Sequence, residues 1–125
     1  MTVDTLIEYM LVNHMYSKLL EVQRIIGKER ADKSTRNAYV LGVPSYYGLC
    51  DIVAFLINRG FVVNATKSQN GFTALHEAAV SGEVEVVKLL LHHKADASIC
   101  DKLGETPLDK ARFFQRKEVM ILLTN

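Results

Sequence analysis

Apolar positions along this chain gather in short stretches whose spacing suits one buried face of a helix. Ile52-Val53-Ala54-Phe55-Leu56-Ile57 is one, Val84 to Leu91 a second and Val119-Met120-Ile121-Leu122-Leu123 a third. In the second stretch Val86, Leu89 and Leu90 follow helical spacing, which predicts a buried stripe. Val84, Leu75 and Leu108 are expected to join them in the core. Gly48 and Gly82 stand just ahead of the first two stretches, where a left-handed residue would end a preceding helix. The polar segments Asn64 to Phe72 and Ser98 to Glu105 are predicted to be protruding loops. The pattern therefore predicts pairs of short helices joined by longer loops.

The pattern also repeats. Thr73-Ala74-Leu75-His76-Glu77-Ala78 returns 33 residues later as Thr106-Pro107-Leu108-Asp109-Lys110-Ala111, each copy preceded by a glycine, Gly71 and Gly104. Gly48 and Gly82 stand 34 residues apart, which places one extra residue between Asn64 and Gly71. Glu118 to Leu123 repeats Glu85 to Leu90 at the 33-residue offset. Self-similarity at this period, carried by this hexapeptide, resembles the ankyrin-repeat family. The resemblance implies an all-α solenoid of stacked helix–turn–helix units with hairpin-like loops, about three to four repeats including irregular ends.

Each family-like residue has a physical task. Thr73 and Thr106 can cap a helix by accepting a bond from an orphan amide. Pro107 suits the first helical position, where no amide donor is needed. Ala78, Ala79 and Ala111 are small enough for neighbouring helices to approach closely. His76 stands at the family's usual histidine, which implies a hydrogen bond to the loop backbone and not catalysis.

Four segments follow from the arithmetic. Residues 1–37 are read as a helical N-terminal cap or a decayed repeat, because Leu11, Met15, Val22, Ile25, Ile26 and Asp32 align with Leu75, Ala79, Val86, Leu89, Leu90 and Asp96, although Lys18 takes the glycine position. Leu6 to Ile26 reads as helix, with a break near His14 to Ser17, and Gly27 to Asn37 as a solvated, mostly basic loop. Residues 38–70 form an irregular repeat, in which Pro44 falls in the first helix; either that helix is distorted or it starts near Ser45. Residues 71–103 are the best copy. Residues 104–125 are a C-terminal capping repeat, with Gln115 in place of the glycine and Lys110, Arg112, Arg116, Lys117 and Glu118 as a polar outer face, although the same basic cluster could instead form an anion site.

Composition narrows the function. A formal net charge of +1 sets up no field for nucleic acid or anionic lipid. Glu8, Lys18, Glu21 and Arg24 interrupt Leu6 to Ile26, which is neither a transmembrane helix nor a signal peptide. Two cysteines 50 residues apart make no disulfide framework or zinc site. Cys50 is expected to be buried and inert, Cys100 accessible, in a reducing cytoplasmic and/or nuclear setting. No glycine-rich phosphate loop, H-E-x-x-H or G-x-S-x-G motif occurs, so no catalytic residue, metal or cofactor is assigned. His92-His93 point about 100° apart on a helix and cannot share a ligand. Asn64 has Leu56 eight residues ahead, as in hydroxylated ankyrin asparagines, but Val62 replaces the usual acid.

The resemblance implies that a partner is held by loop tips and exposed first-helix positions on the concave side. Carried over residue by residue, these are Lys67, Gln69, Asn70 and Phe72 in one loop and Cys100, Lys102, Leu103 and Glu105 in the next. The first-helix positions are Val80 and Ser81, with counterparts Tyr46 and Tyr47 upstream and Phe113 and Phe114 downstream. The row is largely apolar and aromatic, as an interface core requires, although each aromatic could instead pack under the end of the stack or fill space beside Pro44. The expected function is a non-enzymatic protein-binding module, monomeric by itself, acting as adaptor or stoichiometric inhibitor. The alternative is a short form or fragment of a larger ankyrin protein whose main activity lies elsewhere.

Overall fold

The computed structural model describes Asn13 and residues 33–124. Six helices are formed there: α1 Lys33–Tyr46, α2 Cys50–Asn58, α3 Ala74–Ser81, α4 Val84–His92, α5 Pro107–Phe113 and α6 Lys117–Thr124. No strand occurs among the described residues. The first helices stack in the order α1, α3, α5 and the second helices in the order α2, α4, α6, with each pair packed within itself. The result is the all-α solenoid that the period implied. The readings made on residues 1–32, the N-terminal cap or decayed repeat among them, lie outside the described residues apart from Asn13.

Local chemistry explains the helix starts. Thr73 Oγ1 accepts from His76 N–H at 3.2 Å, and His76 Nδ1 accepts from Thr73 N–H at 3.2 Å. The two residues thus satisfy two orphan donors reciprocally. Thr106 and Asp109 form the same capping box on α5, with Pro107 at the helix start. Gly82, at φ 77°, ends α3 in the left-handed conformation. The turn after α5 takes the same shape without glycine, since Gln115 adopts φ 57°.

The core runs through all three pairs. Leu41, Val53, Leu56, Leu75, Val86, Val87 and Leu90 are fully buried between them. Four expectations need correction here. Val84, Leu89 and Leu108 are only half-buried, and Val87 takes the place assigned to Leu89 in the stripe. Leu89 instead lines a shallow groove of about 530 Å³ between α2 and α4, together with Cys50 and Ala54. Cys50 is likewise half-buried and not fully enclosed. Burial and the nearby Glu85, Asp51 and Glu83 push its thiol up, so it stays protonated.

The helix that contains Pro44 neither breaks nor starts at Ser45. Its described part runs from Lys33, inside the segment read as a loop, through Pro44 to Tyr46. Pro44 sits in the last turn, so its missing donor costs one bond and does not disrupt a long ladder. Its carbonyl accepts from Leu49 N–H at 2.9 Å, and the buried Ser45 hydroxyl donates to Leu41 O at 2.6 Å. Local side-chain and turn bonds therefore tie down the last turn on either side of the proline.

Candidate protein-binding face

The loops on the first-helix side are built from inside. Asp101 is the organiser of the second loop: its Oδ1 accepts from Leu103 N–H and from Glu105 N–H, both at 2.9 Å. Its Oδ2 lies 3.4 Å from Lys110 Nζ, which also stands 3.4 Å from Glu105 Oε1. Burial pushes the Asp101 carboxyl up, but those N–H donors and Lys110 outweigh it and leave the group below its ordinary value. The equivalent place in the first loop belongs to Lys67, which pairs with Glu77 at 2.6 Å. Lys102 N–H donates to Asn70 O at 3.0 Å, tying the two loops edge to edge.

His76 joins one repeat to the next. It is fully buried, and its Nε2 lies 2.9 Å from Glu105 O. A carbonyl only accepts, so Nε2 carries the proton and Nδ1 is free to accept from Thr73. Burial holds His76 below its ordinary pKa, against the opposing effect of the Glu105 carbonyl. The residue is thus a neutral bridge, which agrees with its structural reading.

The residues expected to meet a partner fall into three groups. Tyr46, Tyr47, Leu103, Phe113 and Phe114 are exposed, Leu103 at 78% and Phe113 at 76%. Gln69, Asn70 and Lys102 are exposed too, with Asn70 Oδ1 accepting from Phe72 N–H at 2.9 Å. Tyr46 and Tyr47 stand edge to face with ring centres 5.2 Å apart, and Phe113 and Phe114 repeat that arrangement at 5.0 Å. The alternative in which these aromatics tuck into the stack does not hold.

Five positions are less open than the sequence implied. Val80 and Ser81 are half-buried, and the Ser81 hydroxyl donates back to Glu77 O at 3.2 Å. Glu105 is half-buried, its carboxylate turned to Lys110. Phe72 is half-buried against His76, with ring centres 5.2 Å apart and Lys110 Nζ 5.3 Å from its own ring centre. Lys67 is drawn in from the loop tip, its ion pair with Glu77 leaving its side chain 12% exposed. A stem this long folds back when a carboxylate and apolar surface are both in reach.

Arg116, read as part of a polar outer face or of an anion site, touches the row directly. Its Nε donates to Val80 O at 3.0 Å. The signal was present in the register, since Arg116 stands 33 residues after Glu83 and each approaches the turn glycine of the preceding pair, Gly82 and Gly48. Asp101 also escaped notice; an aspartate three residues ahead of Gly104 is a turn signature. Among the described residues no helix is long and apolar enough to cross a membrane.

Comparison with known proteins agrees with this architecture. Residues 41–125 match a family model described as ankyrin repeats in three copies. The mouse (Mus musculus) protein fem-1 homolog A-like is 37% identical over 87 residues, covering 67% of this chain and 13% of the relative. The mitochondrial liver isoform of glutaminase from the same organism is 34% identical over 117 residues, 88% of this chain and 19% of the relative. Mouse protein phosphatase 1 regulatory subunit 12A is 36% identical over 69 residues, 55% of this chain and 7% of the relative. The chain therefore spans less than a fifth of the length of each of these relatives. On its stacked helix pairs, its paired capping boxes and this match, the chain belongs to the ankyrin-repeat family, whose repeats mediate binding to other proteins.

Proposed function

We propose that the chain works without catalysis, as an adaptor or stoichiometric inhibitor that holds a partner protein on its concave face and loop tips. One observation supports this above the others. Repeat-equivalent positions at the ends of α1 and α5 carry exposed aromatic pairs in the same edge-to-face geometry. Leaving a phenyl ring in water forgoes about 1.5–3 kcal/mol of burial, which an interface recovers. The loops beside these rings are ion-paired and hydrogen-bonded, so little order must be bought on binding. We place the protein in the cytoplasm and/or nucleus, monomeric until it meets its partner, with repeats at residues 38–70, 71–103 and 104–125.

The test is affinity purification with the intact chain and with a combined Tyr47→Ala and Phe113→Ala variant. Loss of a captured protein in the variant, with circular dichroism unchanged, supports the reading. Binding that survives that variant but fails on charge changes at Lys88, His92 or His93 sinks it. A second reading makes these repeats the ankyrin part of a larger protein whose main activity lies elsewhere. It is favoured by the small share of each relative that the match covers.

A further inference from the structure

The turn between α5 and α6 differs in chemistry from the turns before it. Phe113, Phe114, Arg116 and Lys117 follow one another across it, from the last residue of α5 to the first of α6, interrupted only by Gln115. At the equivalent place ahead of α4 the chain carries Val80, Ser81 and Glu83, and ahead of α2 it carries Tyr46, Tyr47 and Leu49. Among these three turns, positive charge is therefore confined to the last.

Arg116 is held in place there. Its Nε donates to Val80 O at 3.0 Å, and its Cδ lies within 2.8 Å of where a Cβ on Gly82 would stand. A guanidinium has five N–H donors, of which Val80 takes one. Among the described residues no carboxylate pairs with Arg116 or Lys117, while those of Asp101, Glu105 and Asp109 are committed to Lys110 or Arg112. Beside these two cations a cleft of about 290 Å³ has Val84 and Val119 on its apolar side and Glu118 as its one acid.

Resting on the interaction reading above, we infer that this turn receives an acidic segment of the partner protein. A partner carboxylate meets Arg116 and Lys117, and a neighbouring apolar side chain covers Phe113 and Phe114. Charge complementarity selects this occupant. Arginine offers a planar fork that matches a carboxylate, and one already pinned to a backbone carbonyl loses little freedom on binding. The same segment shifted one repeat back would meet Glu83, which fixes the end of the row that the acid occupies. Glu118 opposes the carboxylate, so its charge weakens the complex.

A phage-displayed library of random peptides, selected on the intact chain, provides the probe. The enriched sequences should pair Asp or Glu with aliphatic or aromatic residues. Resynthesised with a fluorescent label and titrated by anisotropy, they should lose about tenfold or more in affinity on Lys117→Glu. Arg116→Glu should act in the same direction, and Glu118→Gln should tighten binding. Lys117 makes no ion pair within the described chain, so its substitution separates binding from folding. Enriched peptides without acids, or affinities indifferent to Lys117→Glu and Glu118→Gln, overturn the inference. If such peptides still respond to Tyr47→Ala and Phe113→Ala, the wider reading of the face stands; if they ignore those as well, it falls too.

Discussion

Lys67 and Glu77 form a 2.6 Å ion pair between the first loop and α3, and one repeat later Asp101 and Lys110 form the same pair with the charges exchanged. The equivalence is set by the backbone. Lys67 N–H donates to Phe72 O as Asp101 N–H donates to Glu105 O, and Gly71 and Gly104 close back on the two loop residues in turn. Each pair anchors a loop to its own first helix, and the sign of each charge is free as long as the two differ. Glu77→Lys should therefore cost about 1–3 kcal/mol, since two ammonium groups would share a nearly closed site. The exchanged variant, Lys67→Glu with Glu77→Lys, should recover most of that loss in urea-unfolding midpoints. Equal loss in the single and double variants would mean the pair does not act as a unit.

Burial separates two adjacent leucines. Leu90 is fully enclosed, whereas Leu89 borders the open groove between α2 and α4. Leu90→Ala should cost about 2–5 kcal/mol, the usual penalty for a cavity in a packed core. Leu89→Ala should cost distinctly less, because water can refill what it leaves. Denaturant midpoints of the two variants should differ accordingly, and a reversed order would contradict the packing.

Gln115 pays for a conformation that glycine adopts freely. Its φ of 57° matches the 77° of Gly82 at the equivalent turn. Left-handed backbone costs an L-residue roughly 1–2 kcal/mol, part of which glycine returns through its freer unfolded chain. Gln115→Gly should then stabilise by about 0.5–1 kcal/mol and raise the melting temperature by a few degrees. Gly82→Ala should do the opposite more strongly, since its Cβ would meet Arg116. A melting temperature lowered by Gln115→Gly would show that the side chain contributes more than the turn costs.

Acid should loosen the junction at His76. Its folded pKa lies below the ordinary 6.5 because the ring is buried. As pH falls through that ordinary value, the unfolded chain takes up the proton first. The stabilisation from neutral His76 is therefore complete above it and is lost progressively down to the lowered folded value. A proton on Nδ1 would also face Thr73 N–H, undoing the capping box of α3. Urea midpoints measured between about pH 8 and about pH 5 should fall in the intact chain, and His76→Gln should lower stability at neutral pH while flattening that slope. An unchanged slope in the variant would assign the acid sensitivity elsewhere.

The repeat arithmetic carried most of the fold. Capping at Thr73 and Thr106, the left-handed glycines, the bridging role of His76 and the buried Leu75, Val86 and Leu90 all depend on near neighbours and on a period, and both are visible in a linear chain. The exposure of Tyr46, Tyr47, Leu103, Phe113 and Phe114 also followed from register, because equivalent positions in a stack meet equivalent surroundings. What register could not decide was where long side chains go. Lys67 turns inward because Glu77 stands opposite it, Arg116 crosses to Val80 O because Gly82 leaves room, and Asp101 is enclosed because Lys110 neutralises it. The course of α1 through Pro44 departs from the sequence reading for a different reason: proline in the last turn of a helix removes one bond and does not interrupt a long ladder, and the neighbouring Ser45 and Leu49 bond locally on either side of it. A pattern of apolar positions encodes which face of a helix is hidden; the destination of a charge depends on which opposite charge packing brings within reach.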